Sequence, residues 1–215
     1  MTNSWRNPPA NPTAEQLAGV NELLQSIGQA PVTTLDTSNP DVAIAWNTLV
    51  STSREVQAQG WTFNKEYNVK LIADASKKVG VPANVLQADL VRDYSQMHHD
   101  GVIRTDSNGN QYLYDRENHT SQWQFNPCVD VTYMFNWEEI PVPIQTYIIA
   151  RAAAICSSRI VGDSGQYSML RKREEETRVT ALEYETSQGD YNYLNLNPVT
   201  QAYKTYEPFQ ALSRY

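Results

Sequence analysis

Gly60-Trp61-Thr62-Phe63-Asn64 divides this chain in two. Before it, apolar residues recur at helical spacing; after it, they alternate. Upstream, Thr13 with Gln16 three residues on forms a capping box, and Leu17, Val20, Leu24 and Ile27 follow on one helical face. Gly28 supplies the C-terminal stop and Pro31 prevents resumption. Residues 32–39 read as a polar loop. Asn39 caps a second helix with Pro40 in its first position. Val42, Ala45, Trp46, Leu49, Val50 and Val56 line that helix, and Gly60 ends it. The spacing predicts an antiparallel helical hairpin over 13–60.

Downstream, Trp61 and Phe63 alternate with polar residues, as do Tyr67, Val69 and Leu71. Residues 85–91, after Pro82, read as a strand, and Val129–Phe135 is rich in β-formers. Ser107-Asn108-Gly109-Asn110 joins Val102-Ile103-Arg104 to Tyr112-Leu113-Tyr114, a strong hairpin signal. Residues 61–137 are therefore expected to form an antiparallel β insertion. Helical spacing returns after Pro141 and Pro143, through Ile144, Tyr147, Ile148, Ala152, Ile155 and Ile160 to Gly162. A last helix is expected over roughly 166–187, with Met169, Leu170, Val179 and Leu182 as a partial apolar stripe. Arg171–Glu175, Lys172–Glu176 and Glu174–Arg178 are expected as ion pairs on its solvated side. Residues 138–188 thus complete the bundle. Residues 1–12, with three prolines, read as an extended arm, and 189–215 as an extended docking tail. The expected class is α+β: an antiparallel helical bundle core, an inserted antiparallel sheet region, and extended arms at both ends.

The net charge of −7 is spread without a basic stripe: residues 1–60 carry 2 basic and 5 acidic side chains, 61–140 carry 7 and 11, and 141–215 carry 8 and 8. This argues against a tight phosphate-binding surface. No apolar run approaches the length of a membrane span. Met1-Thr2-Asn3-Ser4-Trp5 lacks the basic and apolar regions of a signal peptide. Cys128 and Cys156 show neither metal spacing nor a disulfide framework, and are read as two reduced thiols in a protein made in cytoplasm.

The search for chemistry yields near-misses. Asp106, Asn108, Asn110 and Glu117 fall at positions 1, 3, 5 and 12 of a calcium loop, but Gln111 stands where the loop needs glycine. A plain hairpin turn is the better reading. His98-His99-Asp100 has only His119 as a further imidazole, so a surface turn is expected rather than a metal site. Adjacent Glu138 and Glu139 are poorly placed to face one another across a sugar, and read as acids ahead of a helix dipole. Phosphate loops, nucleophile elbows and Cys–His constellations are missing from the sequence. No cofactor, metal or catalytic residue is expected.

The order of short motifs is more specific than any one of them. Val20-Asn21-Glu22-Leu23-Leu24 to Val32, Arg54–Asn64, Val81-Pro82-Ala83-Asn84-Val85-Leu86 and Tyr114–Thr120 are followed by Trp137-Glu138-Glu139-Ile140-Pro141, Ala150-Arg151-Ala152-Ala153, Arg159-Ile160-Val161-Gly162 and Gly189–Asn192. In this order the chain resembles the tail tubular protein A family, the head-to-tail adaptors of short-tailed, podovirus-type bacteriophages. Asn136-Trp137 and the tail after Leu194 depart from the family pattern. The resemblance implies a structural virion protein assembled in the host cytoplasm, not an enzyme. It implies a ring, usually of twelve subunits, between the portal protein and the tail nozzle (tail tubular protein B), with tail fibres attached nearby and DNA passing through the lumen during ejection. Twelve copies at −7 would carry −84, a wall that repels rather than grips DNA. A tail rich in tyrosine is unlike a disordered one and suits docking. Trp5, Tyr191, Tyr193, Tyr203, Tyr206, Phe209 and Tyr215 are the candidate interface residues. Two other readings compete: a carbohydrate-active tail component using Glu138 or Glu139, and a monomeric binding module.

Overall fold

The structure is a computed structural model, which describes residues 12–91, 96 and 98–189. The interface candidates Trp5, Tyr191, Tyr193, Tyr203, Tyr206, Phe209 and Tyr215 lie outside the described residues, as do 1–11 of the expected arm and 190–215 of the expected tail.

The fold is α+β. Four helices, α1 (Ala14–Ser26), α2 (Pro40–Gln57), α3 (Val142–Ile160) and α4 (Ser164–Gln188), form the bundle. Between α2 and α3 lie β1 (Lys65–Lys70), β2 (Gly80–Val81), β3 (Val85–Leu90), β4 (Gly101–Thr105), β5 (Gln111–Asp115) and β6 (Cys128–Tyr133). They make two antiparallel three-stranded sheets, ordered β1-β6-β3 and β2-β5-β4.

The helix ends follow their local signals. Thr13 Oγ1 accepts from the Gln16 amide at 3.2 Å, and Gln16 Oε1 accepts from the Thr13 amide at 3.2 Å. Two orphan donors of α1 are thereby satisfied reciprocally. At its other end, Gly28 has φ +79°, and the Gln29 amide reaches back to the Leu24 carbonyl at 2.9 Å. This is a Schellman closure, which favours a residue without Cβ. Asn39 Oδ1 caps α2 through the Asp41 amide at 3.0 Å.

Long-range bonds set the helix directions. Gln16 Nε2 donates to Glu138 Oε1 at 2.9 Å, so α1 starts where α3 starts. Gln166 Nε2 donates to the Ser26 carbonyl at 2.6 Å, so α1 ends where α4 begins. Glu185 accepts from the Thr62 amide and hydroxyl, placing the end of α4 beside the end of α2. Helices α1 and α3 therefore run one way, α2 and α4 the other. Both ends of the described chain leave from one end of the bundle, where the β region is also rooted.

Two cores result. Leu23, Leu24, Trp46, Leu49, Trp137, Ile144, Tyr147 and Ile148 fill the bundle. Val79, Leu90, Leu113, Trp123, Val129 and Val131 fill the β region. The two sheets approach closely at Gly101, where a Cβ would lie 2.9 Å from Leu90 Cγ.

The structure corrects three local expectations. Trp61 does not open a strand; residues 62–64 form a turn, and Trp61 packs into the helical core. The turn is closed by Asn64, which is 1% exposed. Its Oδ1 accepts from the Trp61 amide at 2.8 Å, and its Nδ2 donates to the Gln57 and Tyr133 carbonyls at 2.9 and 2.7 Å. A buried amide with both donors and its oxygen bonded outweighs the alternation of its neighbours. Next, the Tyr67–Val69 alternation is broken by a bulge between Glu66 and Val69, with Asn68 at φ 58°, which leaves Tyr67 exposed. Third, the expected α4 stripe does not pack as a unit: Met169, Val179 and Leu182 are exposed, and only Leu170 joins the core edge. The seam of α4 is instead Leu170, Glu174, Thr177, Ala181 and Tyr184, at alternating spacings of four and three.

Candidate functional site

The seam of α4 explains why its ion pairs differ from those expected. Glu174 is 4% exposed rather than solvated. Its Oε2 accepts from Arg171 Nη1 at 2.5 Å, three residues away, and its Oε1 lies 3.9 Å from Arg151 Nη1 on α3. Arg151 also donates to Glu55 Oε1 at 2.5 Å and to the Tyr147 hydroxyl at 3.2 Å. A carboxylate this buried is tolerated because two guanidinium groups neutralise it. Burial by itself lowers the Arg151 pKa, but the Tyr147 hydroxyl, Glu55 and Glu174 outweigh it and hold the group above its usual value. Lys172, Arg173 and Arg178 make no ion pair among the described residues. The expected Lys172–Glu176 and Glu174–Arg178 pairs are not formed.

These side chains border an open cleft of about 500 Å³ between α3, α4 and the end of α2, lined by Gln59, Tyr147, Arg151, Ile155, Arg171, Glu174, Glu175 and Arg178. The walls are mixed in charge, and nothing in them pairs a nucleophile with a base. The cleft can receive polar or charged groups.

A second polar centre organises the β region. Asp115 at the end of β5 is 1% exposed. Its carboxylate faces His99 Nδ1 at 2.5 Å and accepts from Asn118 Nδ2 at 2.8 Å and from the Asp100, Glu117 and Asn118 amides. Burial pushes its pKa up, but the His99, Asn118 and Asp100 hydrogen bonds more than offset this and bring it down to about 2. Arg116 pairs with Asp100 across the same loop. His99 also packs edge-on against Phe125, ring centroids 4.9 Å apart. The His98-His99-Asp100 segment is thus half of a structural latch, which its sequence as a surface turn did not reveal.

The remaining candidates resolve into local structure. Asp106 Oδ1 accepts from the Asn108 and Asn110 amides, both at 2.8 Å, so this carboxylate closes the β4–β5 turn. Glu138 is held by Gln16, and Glu139 Oε2 accepts from the Asn136 amide at 2.8 Å at the head of a 3₁₀ turn over Trp137–Glu139. Neither faces the other, and the geometry gives the glycosidase reading no support. Among the described residues, no cluster of three His, Cys, Asp or Glu side chains is arranged to hold a metal ion. Cys156 is buried and Cys128 half-buried, both as free thiols; burial pushes the Cys156 thiol up. Among the described residues no helix is long and apolar enough to cross a membrane.

What stands out is therefore surface: an exposed face on α4 and a bundle with two unlike ends. No curated protein matches the chain. A family model described as "tail tubular protein" matches residues 17–191, spanning the bundle and the whole β region. The chain belongs to the tail tubular protein family, a family of structural components of phage tails.

Proposed function

We propose that the chain is a head-to-tail adaptor of the tail tubular protein A type in a short-tailed phage. In this reading about twelve copies, a number taken from the resemblance to that family, close into a ring between portal and nozzle, the tail tubular protein B. The ring assembles in the host cytoplasm, sits near the tail fibres, and lets DNA pass without sequence-specific contact.

One observation carries the adaptor reading within the family. A joint between unlike partners needs two unlike ends. One end of this bundle bears the β region and both chain exits. The other bears the α1–α2 and α3–α4 connections and the exposed Ile160, Val161 and Met169. A ring of such subunits has two chemically distinct rims, because rotation about one axis keeps like ends together. The net −7 of each chain fits a conduit that does not hold DNA.

The test is reconstitution. Full-length protein mixed with portal rings should yield a complex of defined stoichiometry that recruits nozzle protein. Removing 195–215 should leave a folded chain that no longer joins capsids. Normal assembly by the truncated chain refutes the docking role of the tail, and failure of the intact chain to bind either partner refutes the adaptor.

A further inference from the structure

The exposed face of α4 is built to be covered. Arg171, Glu175, Arg178 and Leu182 fall on one stripe at helical spacing, with Lys172 and Val179 beside them. Val179 is 55% and Leu182 43% exposed. Lys172 and Arg178 have no carboxylate partner among the described residues. This is an apolar centre flanked by cations without an ion pair among the described residues, on a helix that buries only Glu174, Thr177 and Ala181, with Leu170 and Tyr184 partly buried beside them.

The complement occurs elsewhere on the same subunit. In the β3–β6 ladder Asp89 stands directly opposite Asp130. Like charges directly opposite on neighbouring strands repel. The Asn68 amide donates to Asp130 at 3.0 Å, but neither carboxylate meets a cation among the described residues. A cation from outside the subunit removes that repulsion.

Both faces border the end of α2. Gln87 of β3, two residues before Asp89, donates to the Ala58 carbonyl at 3.0 Å, and the next residue, Gln59, lines the α3–α4 cleft with Arg178. Rotation about a common axis repeats both faces unchanged in every copy.

Resting on the ring reading above, we propose that one copy seats its β3–β6 face, with Asp89 and Asp130, on the α4 face of the next, with Lys172, Arg178, Val179 and Leu182. The contact is heterologous, so each copy gives one face and receives the other. Its ionic half weakens with salt, and its apolar half does not.

Native mass measurement of the full-length chain, alone and with portal rings, tests this. K172E/R178E should raise the concentration needed for assembly at least tenfold while the circular dichroism and melting temperature stay unchanged. Asp89→Lys should do the same from the other side; it is the safer variant, since Asp89 is exposed and Asp130 half-buried. Mixing the two variants in equal amounts should restore mixed contacts that neither forms alone. Unimpaired rings from K172E/R178E, or no recovery on mixing, overturn the proposed faces while leaving the ring intact. A wild-type chain that stays monomeric with and without the portal overturns both.

Discussion

The bundle and the β region solve stability in opposite ways. The bundle is held by large apolar groups, with Trp46, Trp137, Tyr147 and five leucines and isoleucines all but inaccessible. The β region has one comparable aromatic, Trp123, and ties its loops with carboxylates: Asp74, Asp106 and Asp115 each gather several donors from the following residues. Apolar burial is insensitive to pH, and hydrogen-bonded carboxylates are not. The two regions should therefore fail under different insults.

The largest effect should come from the bundle. Trp137 is fully buried at the point where the β region returns to α3. Trp137→Ala should destabilise the protein by about 3–5 kcal/mol, as other large-to-small aromatic replacements in cores do. Chemical denaturation read by far-UV circular dichroism measures it. A loss under about 1 kcal/mol would mean that the bundle tolerates the cavity and does not depend on its large apolar groups.

Next is the hinge between the regions. Asn64 joins the end of α2 to β6 through both carbonyls of Gln57 and Tyr133. Asn64→Ala takes the acceptor from the buried Trp61 amide and a donor from each of the Gln57 and Tyr133 carbonyls, the first of which keeps the Gly60 amide at 3.2 Å, and should cost about 2–3 kcal/mol. It should also loosen the coupling, so that the regions unfold in two steps rather than one. A single unchanged transition would show that the apolar contacts of Trp61 and Phe63 suffice to join them.

How much of this was legible depends on how far each residue is from its partners. The Thr13–Gln16 box, the Gly28 closure and the Asn39 cap are contained within a few residues, and their residue types announce them. Asn64 was read as the end of a β-like alternation because its deciding partner, Tyr133, lies 69 positions on. Glu174 looks like one more surface charge in a run of glutamates; Arg151, which makes its burial tolerable, is on another helix. Asp115 gave no signal at all, since burial and the His99 contact arise only once β5 is set against its neighbours. The candidate interface was less legible still. Exposed Val179 and Leu182 obey helical spacing as a core stripe would, and spacing cannot say which side is covered.

The smallest effect is also the one that separates the regions most cleanly. Asp115 has a folded pKa of about 2, below the ordinary 3.8. A depressed carboxylate contributes stability that is fully present above its unfolded pKa and is lost as pH falls through the folded one. The window is thus from about pH 5 down to about pH 2, and the difference corresponds to about 2–2.5 kcal/mol at most. Asp74 and Asp106, held below their usual values by hydrogen bonds from Ser76, Lys78 and Asn110, act in the same direction at the surface. Hydrogen exchange followed from pH 5 to pH 2, corrected for intrinsic rates, should show β4 and β5 opening before α3. Asp115→Asn should lower the protection of the β region at pH 7 and flatten its acid dependence, leaving α3 unchanged. Were α3 to open first, or were the variant to keep the wild-type acid profile, the carboxylate latch would not be what holds the β region together.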